Sequence, residues 1–149
     1  MRIAVACDHA GFALKKDVIE AVEQAGHEVI DLGTDSPERV DYPDFAEKAG
    51  REILSGKADR GVLICGSGVG VCIAANKMKG IYACLCHDTY SAHQGVEHDN
   101  MNILCLGSLI IGPALAKELV SAFLSAHFLN KGNYLRRAQK VQGIETRER

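Results

Sequence analysis

Three turns concentrate the residue types that do chemistry: Cys65-Gly66-Ser67-Gly68-Val69-Gly70, Cys7-Asp8-His9-Ala10-Gly11 and His87-Asp88-Thr89-Tyr90. The first is the most informative. Glycines at 66, 68 and 70 let backbone amides converge on a small anion as the chain enters a helix. Cys65 stands at the mouth of that loop, and a thiol beside a helix N-terminus is stabilised as the thiolate, which makes it a base near neutral pH. Without the glycines the better reading would be a small buried hydrophobe closing a strand. In the second turn, Asp8 and His9 place a carboxylate next to an imidazole, a pair suited to the hydroxyls of a polar ligand. Taken alone, the same two residues fit an Asx turn with a surface histidine equally well.

His98 precedes Asp99, Asn100 and Asn102, a polar cluster ahead of an apolar run. A lone histidine in such a place is more often structural than catalytic. His27, His87, His93 and His127 have no comparable polar setting and are read as structural. The three glycines also invite a dinucleotide reading, with Asp88 after the next strand as the ribose-binding acid. It is the weaker reading, because that fingerprint belongs in the first strand-to-helix turn, which here is Asp8-His9-Ala10-Gly11. The cysteine spacings, one residue between Cys84 and Cys86 and six between Cys65 and Cys72, lack the two-residue gap of common zinc and redox motifs, so no metal site is expected.

The elements that must position these residues follow from hydrophobic periodicity. Short β-type runs alternate with helical stretches, the pattern of a parallel sheet covered on both faces. Strands are predicted at 2–8, 28–32, 61–65, 81–87 and 102–106. The nearly continuous apolar content of Val62-Leu63-Ile64-Cys65 and Ile103-Leu104-Cys105-Leu106 suits strands buried on both sides. A first helix carries Leu14, Val18, Ala21, Val22 and Ala25 on one face and stops at Gly26. Further helices are predicted at about 43–55, 69–79, 89–98, 113–128 and 134–144, with Pro43 and Pro113 in first turns. The expected fold is an α/β three-layer αβα sandwich with a five-stranded parallel Rossmann-like sheet. In such sheets ligands gather beyond the carboxyl ends of the strands, where the three turns lie.

Composition narrows the function classes. The 149 residues, 47% hydrophobic, suit a single domain spanning 1–149. A net charge of -2 from mixed signs gives no basic field for nucleic acid. There is no membrane-length apolar run and no signal-peptide pattern ahead of Arg2-Ile3-Ala4-Val5, so a cytoplasmic protein with six reduced cysteines is expected. The basic, weakly amphipathic stretch from Tyr134 to Val141 opens two readings: a C-terminal helix, about 133–149, docked on another subunit, or a solvated terminal helix.

Cys7-Asp8-His9-Ala10-Gly11, Val29-Ile30-Asp31-Leu32-Gly33-Thr34, Asp41-Tyr42-Pro43, Ile64 through Gly70, Ala74-Ala75-Asn76-Lys77 and Asn102-Ile103-Leu104 together resemble ribose-5-phosphate isomerase type B, over nearly the whole chain. The wider family includes isomerases of galactose 6-phosphate, allose 6-phosphate and tetrose phosphates. The resemblance implies an aldose–ketose isomerase of the pentose phosphate pathway, working without metal or cofactor through a cis-enediolate. It implies a homodimer or homotetramer with shared active sites. Cys65 matches the base and Ser67 a hydroxyl that assists proton movement. His98 matches a ring-opening acid given by the neighbouring subunit. Asp8, His9, Tyr42 and Asn76 match substrate-contacting positions, and the amides of Gly66, Gly68, Val69 and Gly70 match those that hold the enediolate oxygens.

Departures cluster where the phosphate is expected. Leu109 stands where arginine is common, as does Tyr82; Asn133 and Tyr134 replace an arginine and a histidine; Asp99 replaces an asparagine. Arg137 matches the remaining arginine, with Arg136 beside it as a second guanidinium for a phosphate dianion. The leading expectation is the interconversion of ribose 5-phosphate and ribulose 5-phosphate, and an isomerase of another small sugar phosphate or of an unphosphorylated sugar comes second. A non-catalytic sugar-phosphate or nucleotide sensor using the same loop is the alternative from another class.

Overall fold

The computed structural model describes residues 1–148. Strands and helices alternate as β1 (Arg2–Cys7), α1 (Phe12–Gln24), β2 (Glu28–Asp31), α2 (Tyr42–Leu54), β3 (Arg60–Cys65), α3 (Val69–Ala75), β4 (Ala83–Leu85), α4 (Thr89–Asp99), β5 (Ile103–Gly107), α5 (Pro113–Ser125) and α6 (Gly132–Glu148). The five strands form one sheet in the order β2-β1-β3-β5-β4, every pair parallel. This is the expected three-layer αβα arrangement.

Side-chain alternation along the central strands builds two cores. Ile3, Val5, Val62, Ile64, Leu104 and Leu106 face α1, α4 and α5, where they meet Leu14, Val18, Val96, Leu119 and Phe123. Ala4, Ala6, Leu63, Cys65, Ile103 and Cys105 face α2 and α3, where they meet Phe45, Ala46, Ala49, Val71 and Ala75. The continuous apolar runs read from the sequence are strands with cores on both faces. Among the described residues no helix is long and apolar enough to cross a membrane.

Three elements are shorter than predicted by three or more residues, each where a side chain takes over backbone groups. Strand β4, expected at 81–87, pairs only over Ala83–Leu85. Before it, the Asn102 side chain accepts from Tyr82 N–H at 2.8 Å and donates to the Gly80 carbonyl at 2.9 Å. Helix α3, expected to reach 79, ends at Ala75 because the Asn76 amide turns sideways to the sheet edge. Its Oδ1 accepts from Ala83 N–H at 2.9 Å and its Nδ2 donates to the Ala83 carbonyl at 2.8 Å. Helix α5, expected to reach 128, ends at Ser125, where the Arg60 guanidinium donates to the carbonyls of Phe123 and Ala126 at 2.7 and 2.8 Å.

Helix α6 covers 132–148 rather than 134–144 and packs along α4, with Val141 and Ile144 left exposed. Phe123 is fully buried beneath Arg60. Phe123→Ala should lower the unfolding free energy by about 3–5 kcal/mol in a urea titration, whereas a surface aromatic would cost well under 1 kcal/mol.

Candidate active site

Strands β1 and β3 are adjacent, yet α1 leaves to one face of the sheet and α3 to the other. Diverging connections open a crevice at the carboxyl edge, and the Asp8 and Cys65 turns both project there. Asp8 N–H donates to the Ile64 carbonyl at 3.3 Å, and Gly11 lies so close to Ile64 that an added Cβ would sit 2.3 Å from its oxygen. The Asp8 turn is thus in direct contact with the end of β3, from which the Cys65 loop departs.

The glycine loop is closely packed. Gly68 has φ +79, the left-handed region that favours glycine, and an added Cβ would meet Leu85 at 2.5 Å and the Leu106 backbone at 2.9 Å. Its N–H donates to Cys65 Sγ at 3.1 Å, and Val69 N–H donates to Ser67 Oγ at 3.2 Å. Cys65 is 5% exposed, whereas Ser67 lies open to solvent. The Tyr42 ring packs over Gly70, 2.8 Å from where a Cβ would stand.

Asp8 is also 5% exposed, and its Oδ1 accepts from Gly11 N–H at 2.9 Å, an Asx-type turn. His9 turns away from Asp8: its Nδ1 lies 3.2 Å from both the N–H and the carbonyl of Val40. That contact brings the segment after β2 over the site. Asp8, His9, Arg39, Asp41 and Tyr42 line an open crevice of about 540 Å³.

The remaining predicted residues gather elsewhere. His98 closes α4 ahead of β5, at the amino edge of the sheet. Cys65 pairs with Gly107, the last residue of β5, while Gly61 pairs with Ile103, its first. The four steps from residue 61 to 65 alone span roughly 13 Å, so His98 and Cys65 of one chain lie at opposite edges. The His98 ring stacks on Tyr134 at 4.7 Å, and Gln94 Nε2 lies 2.9 Å from its Nδ1 and 3.2 Å from Asp99 Oδ2. Asn76, Tyr82, Cys84, Asp99 and Arg137 line a second cavity of about 220 Å³ beside β4. Asn133 lies exposed in the first turn of α6.

Two expectations change. Arg136 and Arg137 do not converge on one anion: Arg137 lines the cavity with Asp99, while Arg136 lines a surface groove with Gln139, Lys140 and Arg147. Consecutive helical residues point about 100° apart, which separates the two guanidinium groups. Asp88, the alternative ribose acid, is the N-cap of α4, and its Oδ1 accepts from Ser91 N–H at 2.7 Å. Sequence reasoning also missed two contributors. Arg39 lies three residues before Tyr42, while Ser108 precedes Leu109 in the turn after β5, a carboxyl-edge turn that the same topological rule singles out.

All six cysteines are free. Burial pushes the Cys7 thiol up to about 11 and raises that of Cys105 well above its ordinary value. The Cys84 hydrogen bond, with burial, raises Cys86 as well. Cys72 is lowered to about 7, chiefly by its hydrogen bond with Cys105 and against burial, and Cys84 to about 7, chiefly by its hydrogen bond with Cys86.

Residues 3–142 match the protein-family model described as Ribose/Galactose Isomerase. Ribose-5-phosphate isomerase B of Escherichia coli (strain K12) is 43% identical over 146 residues, which cover 98% of this chain and 97% of that protein. D-erythrulose-4-phosphate isomerase of Pectobacterium atrosepticum is 41% identical over 145 residues, covering 97% and 93%. The solved structure of ribose-5-phosphate isomerase B from Clostridium thermocellum superposes with a TM-score of 0.95 at 42% identity, covering both chains fully.

The cysteine pattern makes a chemical prediction. Iodoacetamide should label Cys72 and Cys84 with pH midpoints of about 7, read by peptide mass spectrometry. Cys105→Ala should move the Cys72 midpoint upward and slow its labelling at neutral pH; an unmoved midpoint would contradict the Cys72–Cys105 contact.

Proposed function

Since this chain belongs to the ribose/galactose isomerase family, we propose that the sugar phosphate it isomerises is ribose 5-phosphate, interconverted with ribulose 5-phosphate through a cis-enediolate. The observation that carries this reading is the glycine loop itself. Cys65 ends β3 at the carboxyl edge and the Gly66–Gly70 loop follows it, next to the Asp8 turn, which bonds to Ile64, and with the Tyr42 ring packed on Gly70. A base that removes a proton from C2 and returns one to C1 must be a single group near both carbons, while donors hold the charge that develops on the neighbouring oxygens. Cys65 supplies the sulfur. With the Gly68 and Val69 N–H groups engaged by Cys65 Sγ and Ser67 Oγ, the amides of Gly66 and Gly70 supply the donors, and one such donor is typically worth about 2.7–4 kcal/mol of transition-state stabilisation. Ser67 Oγ moves protons at the sugar oxygens, and Asp8 and Tyr42 orient the open chain.

Opening the sugar ring requires an acid, and His98 serves from a second copy of the chain. Two features support a shared site. His98 and Arg137 lie far from Cys65 within one chain, so only a neighbour can bring them to the loop. The loop is also bordered by exposed apolar side chains, Val69 and Ile73 on α3, Leu85 on β4, and Leu109 and Ile110 after β5. A contiguous apolar patch of this kind marks an association surface, and a homodimer buries it over the site that it completes. The six free thiols suit a reducing, cytoplasmic setting.

A second reading, a different small sugar phosphate or an unphosphorylated sugar, is favoured by Leu109. Its side chain lies beside Gly66 and is 82% exposed, so it offers a ligand an apolar wall where a guanidinium would bind phosphate. Ratios of kcat/KM across ribose 5-phosphate, erythrulose 4-phosphate, galactose 6-phosphate and free pentoses decide between the two. Absence of solvent deuterium from C1 and C2 of every sugar tested would instead identify a sensor.

Cys65→Ala should abolish turnover while leaving ligand binding and folding intact, and near-normal kcat would reject the sulfur as the base. Mixing the inactive Cys65→Ala and His98→Ala proteins and allowing subunits to exchange should restore roughly a quarter of wild-type activity, because half the dimers then carry one complete site. No recovery after demonstrated exchange would place both residues in one chain's site.

A further inference from the structure

The outer rim of the sheet ends in an unusual substitution. Strand β4 stops at Leu85, and beyond it the ladder weakens to a 3.4 Å contact from Cys86 N–H to the Cys105 carbonyl. Gly107, the last residue of β5, is buried, and a buried N–H requires an acceptor. Its N–H donates at 3.0 Å to the imidazole Nε2 of His87. A side chain thus performs the task that a longer β4 would have given to a carbonyl.

What Gly107 holds makes this bond consequential. Gly107 pairs in register with Cys65, and its Cα rests on the Ser67 carbonyl so closely that an added Cβ would lie 2.6 Å from the oxygen. The next two residues clamp the loop directly, with Ser108 N–H donating to the Cys65 carbonyl and Leu109 N–H to the Gly66 carbonyl, both at 2.9 Å. Ser108 Oγ then donates to the Ala10 carbonyl at 2.6 Å, tying in the Asp8 turn. One connected set of bonds therefore runs from the His87 ring through Gly107 to Cys65, Gly66 and Ala10.

We propose that His87 is a positioning residue for the isomerase reaction, its Nε2 holding Gly107 so that the turn after β5 fixes the Cys65–Gly70 loop in its reactive geometry. The inference rests on the reading of Cys65 as the base. An Nε2 that accepts carries no proton of its own, so the position needs an acceptor at that reach rather than a charge. Glutamine supplies one; leucine, of similar bulk, does not. Without it the Gly107 amide is left unpaired and the turn shifts to find water, carrying the Cys65 and Gly66 carbonyls with it.

The test compares His87→Leu and His87→Gln in the full chain, by steady-state kinetics and by amide hydrogen exchange at residues 66–70 and 107–109. Displacements of about 1 Å at a reacting group cost on the order of 10²-fold in rate, and the leucine variant is expected to lose kcat on that scale. Its KM should stay within about twofold, with faster exchange in both segments, while glutamine restores both readouts. If the leucine variant does not fold, His87→Asn, one methylene short of Gly107, takes its place with the same expectation. Wild-type kcat in the leucine variant, or glutamine no better than leucine in a folded protein, overturns the proposal. If the wild-type protein turns over no sugar, the isomerase reading fails on its own account, and unchanged exchange at residues 66–70 in the leucine variant then overturns the positioning role separately.

Discussion

The pairing of β3 between β1 and β5 is the constraint on which the rest of the molecule depends. Both neighbours run parallel to it, and its apolar side chains are buried in two different cores, so its register cannot slip without exposing one of them. The last step of that register sets Cys65 beside Gly107. From there the contacts continue past the strand ends, through Ser108 and Leu109 to the carbonyls of Cys65 and Gly66. A loop built on three glycines would otherwise be the least ordered part of the chain, since glycine loses the most freedom on folding. Here its conformation is dictated by close packing against Leu85, Leu106 and Tyr42.

Helix polarity explains the division of the polar residues into two groups. In a parallel sheet every connecting helix runs back toward the start of the next strand, so residues at the beginning of α3 and the end of α4 are driven to opposite edges. The Cys65 loop and the Asp8 turn occupy one edge, and His98, Asp99 and Arg137 the other.

Much of this was legible in the sequence. The five strands, the order of elements and the loop positions follow from apolar runs and glycine placement, because burial on both faces leaves a continuous hydrophobic signature in Val62–Cys65 and Ile103–Leu106. Element ends were less legible wherever a distant side chain set them. Nothing local to residues 81–87 reveals that Asn102 will take the Tyr82 amide, and nothing local to 126–128 announces the Arg60 guanidinium. The same limit applies to the candidate site. The turns bearing Asp8 and Cys65 follow adjacent strands and Tyr42 packs on Gly70, whereas the divergence of Arg136 from Arg137 depends on helical phase relative to α4, and the contact from His87 to Gly107 joins residues 20 apart. Periodicity reports which face is buried; it carries no record of which polar side chain substitutes for a missing strand.

The brevity of β4 has a consequence for what the outer rim of the sheet offers to other molecules. An outer strand of three residues, with the Ala83 N–H and carbonyl both taken by the Asn76 side chain, leaves few free ladder groups along that border. A foreign strand finds little there to extend, so intermolecular β-addition, the usual route from parallel sheets to fibrous aggregates, is disfavoured at this rim. Contact between molecules then falls to side chains, which specify a partner far more selectively than a bare backbone does.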